Sequence, residues 1–589
     1  MSNSTDQPRL KPHRLSDDFP ITSYDEWRKV VEAQLKGVPF EKAMITPTYE
    51  GILLQPIYRA EDANFIDSLP GESPYRRGTD PLGYLEKGWE IVEANNEEET
   101  RGQRLEARNE LRIKNEDLRI AERDIVIDTE EFHNKGASAV EELAIAASIA
   151  VEAIEELKVK SEKLKIGGEE QSRTTPLNPP SEMGVNGREI DEILQRVRFE
   201  FCIGSNFFME IAKLRAARIL WANVALAFGG NEESQKITLH AKTSRYNKTI
   251  FDPYVNILRT ATEAFSAVLG GTDSLQIDPF DTVIRESDEF SKRIARNQHY
   301  ILKEEAHLDA LVDPAGGSWY VESLTSQLAE KAWTFFQEIE AKGGFSQAQD
   351  MINEKIAAIA ALREKNLRSR KDVIVGTNMF ANPGEEVLCP VVPPSGRGEL
   401  SSESDLFQAL PEGNETLAKA TTTKGNATLA KATTTLAHPY EKMRLAVERH
   451  IAKTGKRPSV FLATMGPLNQ HKARADFAQG FFTAGGFKVI DNGKGFEGPE
   501  GLTTAAEAAI TSGAEAVCIC STDDTYPEIV PSLSTLIRQK APHTCVILAG
   551  YPTDMVETYK LQGVNEFIHV RADVVDTLTR VLKAVGVVL

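Results

Sequence analysis

Residues Phe199 to Trp221 read FEFCIGSNFFMEIAKLRAARILW. The first six residues make a short apolar run that ends at glycine and serine, and from Phe208 to Ala227 the apolar residues recur at helical spacing. A strand followed by a helix is the direct reading. The unit recurs in ITLHAK at Ile237 to Lys242 and SLQIDP at Ser274 to Pro279, again separated by helical stretches, and the alternation runs on to about Phe345. Strands alternating with helices predict a parallel sheet covered by helices, an α/β fold.

Toward the C-terminus the same alternation returns. SVFLATMG at Ser459 to Gly466 is followed by FKVIDNG, AEAVCICS, TCVILAG and EFIHV, each separated from the next by a helical stretch. Five short strands of this kind predict a doubly wound, flavodoxin-like domain over residues 456–589, with its ligand edge at the loops after Met465, Ser521 and Gly550. Between the two regions, residues 391–455 read as a linker. They hold a tandem repeat, in which GNETLAKATTT at Gly413 to Thr423 recurs as GNATLAKATTT at Gly425 to Thr435 with ten of eleven positions identical.

Upstream, residues 1–45 read as a tail and one amphipathic helix, Phe19 to Lys36, capped by Ser23 and carrying Trp27, Val30, Val31 and Leu35 on one side. Thr46 to Tyr58 is extended, and the turn-rich SLPGESPYRRGTDPLG at Ser68 to Gly83 is an ordered loop. From Thr100 to Glu130 about half the residues are charged, a pattern that suits a solvated helix laced with ion pairs. A helix at Val140 to Leu157 follows, then a loop at Gly167 to Gly187 with three prolines.

The 589 residues carry 68 Lys and Arg against 87 Asp and Glu, a formal charge of −19 with no basic cluster, which argues against nucleic acid or an anionic membrane surface as partner. No apolar run reaches the ~18 residues of a membrane helix, and the first residues lack a secretory h-region. The five cysteines, Cys202, Cys389, Cys518, Cys520 and Cys545, are odd in number and lie mostly in apolar runs, so we expect buried thiols, no disulfide framework and a cytoplasmic protein.

Motifs of nucleophile-elbow, P-loop and zincin type are absent. Cys518 and Cys520 alternate along a strand and suit packing better than a metal. DPAGGSWY at Asp313 to Tyr320 allows tight backbone geometry, in a plain turn or near a ligand. His133, in EEFHNKGAS, reads as a capping or core imidazole or as a functional one. His471, in TMGPLNQHKARADF, falls in the first loop of the ligand edge, where it is a surface residue or a binding residue.

Four segments together resemble the methylmalonyl-CoA mutase family, the adenosylcobalamin-dependent acyl-CoA mutases. They are Phe199 to Trp221, HAKTSRYNKTIFDPYVNILRTATEAFSAVLGGTDSLQIDPFD at His240 to Asp281, RIARNQHYILKEEAHLDALVDPAGGSWYVE at Arg293 to Glu322, and SLPGESPYRRG. The resemblance implies a TIM-type (β/α) barrel over residues 46–390 that handles acyl-CoA, and a C-terminal domain that holds cobalamin through a loop histidine. It also implies a heterodimer, with a catalytic large subunit and a small subunit that has lost its catalytic groups.

Three departures make this chain similar to the small subunit. Arg77 and Gly78 are followed by TDPLGYLEKGWEI, with no tyrosine where large subunits place one at the reacting centre. Aligned on Gly136 and Val140, the large subunit's Tyr-His pair is replaced by Glu130 and Glu131, and Phe132 to Asn134 resembles the small-subunit version. In the cobalamin motifs His471 stands between Asn469 and Arg474, Ser521 is followed by Thr522 and Asp523, and only Gly550 remains of a glycine pair. His471, Ser521 and Gly550 are therefore expected to be vestigial cofactor positions, with no catalytic and no metal-binding residue in this chain. Only 42 residues separate Trp89 from Phe132, and about four strands are legible before the linker, so the barrel is expected to be shortened near residues 90–130.

The expected role is that of a small subunit supporting interconversion of succinyl-CoA and (R)-methylmalonyl-CoA in the large subunit, which would hold the adenosylcobalamin. Two rivals are a self-sufficient acyl-CoA mutase of altered substrate, which the missing tyrosines and histidine disfavour, and a cobalamin carrier or mutase-assembly protein, which would not need the barrel segments.

Overall fold

The computed structural model describes residues 22–62, 68–94, 124–169, 187–382, 384–385, 388 and 435–589. Its described residues build two five-stranded sheets, each wholly parallel, and one short antiparallel pair, β1 (Thr46–Pro47) with β2 (Leu53–Leu54). The extended reading of Thr46 to Tyr58 corresponds to this pair. No helix among the described residues is long and apolar enough to cross a membrane.

The first sheet consists of β3 (Glu90–Val92), β4 (Ile125–Asp128), β5 (Val197–Ile203), β6 (Thr238–Thr243) and β7 (Ser274–Gln276), in the order β3-β7-β6-β5-β4. Successive side chains on a strand face opposite ways. Phe199, Phe201 and Ile203 of β5, Leu239 and Ala241 of β6 and Leu275 of β7 enter the apolar core beneath the helices Ala139–Glu169 and Phe207–Ala227. The helix Phe207–Ala227 is buried almost all round because it lies between the sheet and a third helix, Trp319–Ala341.

Five strands stand where about four were expected. β3 has three residues, too few to register as a periodicity, and it pairs in parallel with β7 through Glu90 opposite Ser274. β4 corrects a second expectation, since Ile125 to Asp128 falls at the end of the charged stretch read as a solvated helix; Ile127 is in the core. The rest of that stretch, the first residues of Phe19 to Lys36 and, of the linker, residues 391–434 with nearly all of the repeat lie outside the described residues, but the last part of the expected linker is the helix His438–Thr454, whose Tyr440, Met443 and Val447 belong to the apolar core of the second unit. The helix expected at Val140 to Leu157 runs on to Glu169, which corrects the loop expected from Gly167 at its first three residues; residues 170–186 lie outside the described residues.

Near the N-terminus the helix is Tyr24–Gln34, and Ser23 caps it as expected: the Ser23 amide donates to Glu26 Oε2 (2.8 Å) and the Glu26 amide to Ser23 Oγ (3.3 Å). None of its residues is buried, and Val30 is 59% exposed.

The second sheet contains β8 (Ser459–Thr464), β9 (Lys488–Asp491), β10 (Ala516–Cys520), β11 (Cys545–Ala549) and β12 (Glu566–Ile568), in the order β9-β8-β10-β11-β12. Apolar cores lie on both faces, with Val517 and Ile519 on one and Cys518 and Cys520 on the other. The direction of winding reverses between β8 and β10, so a crevice opens at their carboxyl ends. The two units meet directly: the Leu436 amide donates to the Tyr246 carbonyl (2.7 Å), the Ile250 amide to Glu441 (2.8 Å), and Arg368 pairs with Asp573 (2.7 Å).

Candidate functional site

The face of the first sheet turned away from the helices is polar. Parallel sheets are usually apolar on both faces, and buried polar groups must find partners. Here they find one another. Lys242 pairs with Glu130 (2.7 Å) and lies 3.5 Å from Asp128; Arg198 donates to Ser274 Oγ (3.1 Å), which is also 2.8 Å from His240 Nδ1. Gln276 donates to Asp278 (2.9 Å), and Asp278 takes Arg245 at 2.6 Å.

Glu130 and Glu131, expected together at the centre, are separated by the structure. Glu130 turns inward to buried Lys242, whereas Glu131 is 70% exposed and pairs with Lys135 (2.8 Å). A carboxylate neutralised by a lysine does not donate a hydrogen bond to a carbonyl as a phenol or imidazole would.

His133 is a core imidazole. Its Nδ1 lies 2.7 Å from Glu142 and its Nε2 2.7 Å from Ser244 Oγ, while Glu142 also takes Lys213 at 3.1 Å. Burial pushes the Glu142 carboxyl up, but Lys213 and His133 outweigh burial and leave it below its usual range. Lys213, fully buried, also pairs with Glu210 (2.6 Å) and donates to the Cys202 carbonyl (2.6 Å). This bracket ties the turn after β4 to the ends of β5 and β6.

The loops SPYRRG and DPAGG are fastened together. Arg77 pairs with Asp313 (2.7 Å), Arg76 with Glu322 (3.1 Å), and fully buried Arg215 with both acids. Gly316 stands where a Cβ would run into Asp313 and the Arg77 guanidinium. Its small size is thus a packing requirement of the joined loops.

At the crevice of the second sheet, His471 lies in the first turn of the helix Leu468–Ala484 and not in the loop before it. It is 5% exposed, and the loop after β9 rests on it so closely that Gly495 has no room for a Cβ. His471 Nδ1 is 2.8 Å from the Gly466 carbonyl, so it carries the proton and donates, leaving Nε2 bare. The orienting group is this backbone carbonyl. Ser521 Oγ donates to the Met465 carbonyl (3.1 Å), and Tyr526 donates to the Ala549 carbonyl (2.6 Å).

Over Gly550 lies a guanidinium. Arg474 Nη1 donates to the Ala549 carbonyl (2.8 Å), and Nη2 reaches both oxygens of Asp523 at 3.0 Å. A Cβ on Gly550 would sit 2.9 Å from Arg474 and 3.1 Å from Asp523. The cobalamin that the resemblance implies has a suitable imidazole tautomer here but no space beside Gly550, and in this state the residues do not fit it. Cys518 and Cys520 have their sulfurs 3.9 Å apart inside the core, and burial pushes the Cys518 thiol up, as neutral packing groups require.

Neither of the two ion pairs that fill these sites was legible beforehand. Lys242 and Glu130 are 112 positions apart, and Arg474 and Asp523 are 49.

A family model described as methylmalonyl-CoA mutase matches residues 47–121 and 181–448. The chain is 32% identical to the methylmalonyl-CoA mutase small subunit of Porphyromonas gingivalis over 96% of this chain and 97% of that one. It is 29% identical to the small subunit of Streptomyces virginiae over 97% and 98%. A stretch covering 34% of this chain is 40% identical to the large subunit of P. gingivalis, covering 29% of it. The alignment with the P. gingivalis small subunit runs to 641 positions, more than the 589 residues here, so that relative has segments without a counterpart in this chain.

Proposed function

The chain belongs to the methylmalonyl-CoA mutase family, and from that premise we propose that it is the small, non-catalytic subunit of a heterodimeric mutase. The large subunit then carries out the interconversion of succinyl-CoA and (R)-methylmalonyl-CoA and holds the adenosylcobalamin. The observation that supports this reading is the Lys242–Glu130 pair: the resemblance puts Glu130 where large subunits have one of the Tyr-His pair, and a carboxylate held by a lysine does not polarise a carbonyl as those groups would.

The architecture supports the same reading. β4, β5, β6 and β7 are neighbours in sequence order, and the earliest strand of the sheet, β3, lies beside the last, β7. First beside last is the seam of a closed (β/α) barrel, so residues 46–390 are the remaining arc of a TIM-type barrel, shortened between β3 and β4. The order β9-β8-β10-β11-β12 is the flavodoxin-like order 2-1-3-4-5, which supports a cobalamin-type domain at residues 456–589, preceded by the helix His438–Thr454 that packs into its core. The helix Tyr24–Gln34, with no buried residue, is a clasp for the large subunit. Near it is an open groove of about 660 Å³, lined among others by Met44, Tyr58, Trp319 and Tyr320. Free, buried Cys202, Cys518, Cys520 and Cys545 suit a cytoplasmic setting.

The test is turnover. The purified chain with adenosylcobalamin and methylmalonyl-CoA forms no succinyl-CoA, and activity appears when a large mutase subunit is added. Turnover by the isolated chain would overturn the proposal in favour of a self-sufficient mutase.

A further inference from the structure

The open groove of about 660 Å³ lies between the β1–β2 pair and the start of the helix Trp319–Ala341, and its walls include Met44, Leu54, Pro56, Tyr58, Trp319 and Tyr320. Its aromatic rings form a row. The ring centroids of Tyr58 and Tyr320 are 4.9 Å apart, and those of Tyr320 and Phe208 5.2 Å. Trp319 and Phe208 are each 45% exposed, and Leu53, next in the chain to Leu54, is 56% exposed. Contiguous apolar surface of this kind gains free energy when covered. Rows of aromatic faces suit extended, proline-bearing segments, which are stiff before they dock and lose little entropy in docking.

The charge beside this row is negative. The Tyr320 phenol is held above its ordinary value by burial, by Tyr58 and by Glu50, and the Tyr58 phenol by burial and by Asp62. Basic side chains laid over these rings therefore meet both carboxylates and ring faces.

The chain itself contains a segment of that chemistry. Residues 7–15 read QPRLKPHRL, with Pro8 and Pro12, Leu10 and Leu15, and the cations Arg9, Lys11 and Arg14. They join the described residues beside the groove: Thr22 and Ser23 lead into Tyr24, whose ring lies 4.5 Å from the Arg59 guanidinium, and Arg59 follows Tyr58 of the aromatic row. The six residues between, Ser16 to Ile21, span up to ~20 Å when extended. A tether this short raises the effective concentration of the segment to the order of millimolar, an advantage that a free peptide lacks.

We propose that residues 7–15 dock in this groove as an extended segment of the same chain, with prolines and leucines on the rings of Tyr58, Trp319 and Tyr320 and cations beside Glu50 and Asp62. The docking is a property of this chain alone and does not depend on the small-subunit reading.

The experiment uses the full chain and a fluorescein-labelled peptide of residues 7–15, read by fluorescence anisotropy. The unaltered chain, whose groove is filled by its own segment, binds the peptide weakly. The variant P8S/L10D/P12S frees the groove without touching either folded unit, and it binds the same peptide at least tenfold more tightly. Adding Trp319→Ala to that variant removes the binding, and adding Glu50→Lys weakens it severalfold. A P8S/L10D/P12S chain that binds the peptide no better than the unaltered chain overturns the proposal, as does binding that survives Trp319→Ala. If the Trp319→Ala chain fails to fold, a peptide carrying the three tail substitutions takes its place, and its binding as tightly as the natural peptide counts against the groove. In size-exclusion chromatography the unaltered chain and P8S/L10D/P12S elute alike; a dimer that the variant dissolves would put the segment in the groove of a second copy and overturn docking within one chain.

Discussion

Replacing Lys213 with methionine tests whether the bracket around His133 holds the first unit together. The ammonium is fully buried between Glu142 at 3.1 Å and Glu210 at 2.6 Å, and it also donates to the Cys202 carbonyl. Methionine has similar bulk, so the loss is one of charge. Removing one partner of a buried ion pair costs about 3–5 kcal/mol, a large share of the 5–15 kcal/mol typical of a domain.

The pH dependence makes the cause identifiable. In the unaltered chain the Glu142 carboxyl is held below its ordinary 4.5, burial raising it and Lys213 and His133 lowering it further than burial raises it. A carboxyl depressed on folding adds stability above its unfolded value and loses it only as pH falls through the lower, folded value. Stability from this group is therefore unchanged between pH 7 and 5. Without Lys213 the burial that raises the carboxyl is opposed by His133 alone, so the folded value moves up and the variant's deficit is expected to be smaller at pH 5 than at pH 7.

All five tryptophans, the last being Trp333, precede residue 435, so fluorescence during urea unfolding reports the first unit alone. A cost below about 1 kcal/mol at pH 7 falls short of what a broken buried pair requires and would refute the reasoning. So would a cost that does not change with pH.

Gly316→Ala places a methyl 2.5 Å from Arg77 Nη2 and 2.8 Å from Nε; it is expected to destabilise the first unit by about 1–3 kcal/mol through overpacking, and an unchanged urea midpoint would show the two loops to be loosely joined. Deleting residues 1–40 is expected to weaken the complex with the large subunit in size-exclusion chromatography, because it removes the exposed helix Tyr24–Gln34; unchanged elution would take that helix out of the interface.

The sequence makes visible whatever is periodic and local. β5 is β-branched or aromatic on the side that packs, the helix between it and β6 is long, and Ser23 and Glu26 spell a capping box three positions apart. β3 was hidden because three residues are too few to show a period, and its parallel partner β7 lies far along the chain. β4 was hidden because charged residues crowd its approach, although Ile125, Val126 and Ile127 are β-branched. At the site, residue identities could be aligned to a family pattern but their partners could not. Glu130 looked like one of two acids in place of a Tyr-His pair. That it turns inward to Lys242 while Glu131 faces solvent depends on which side of a short helical turn each occupies. His471 shows the same limit, since its orienting group is a backbone carbonyl, which no residue type encodes.

Both carboxyl ends are filled in the same manner, and solvation explains why. A face evolved to hold a polar ligand is costly without it, because each buried donor or acceptor left unpaired forfeits about 1–3 kcal/mol. A subunit that no longer binds the ligand can replace the polar groups with apolar ones or supply a permanent partner from its own chain. On the proposed small-subunit reading this chain takes the second course: Lys242 answers Glu130 on the first sheet, and Arg474 answers Asp523 and the Ala549 carbonyl on the second. The two pairs differ in depth. Lys242 is 6% exposed and Glu130 16%, so loss of the lysine would leave a largely shielded acid without this cation. Arg474 is 32% exposed and its partner 60%, so water can take over either group when the pair opens. The second pair is therefore the one whose removal costs the fold little, whereas the first is removed at least cost when both of its members are replaced together.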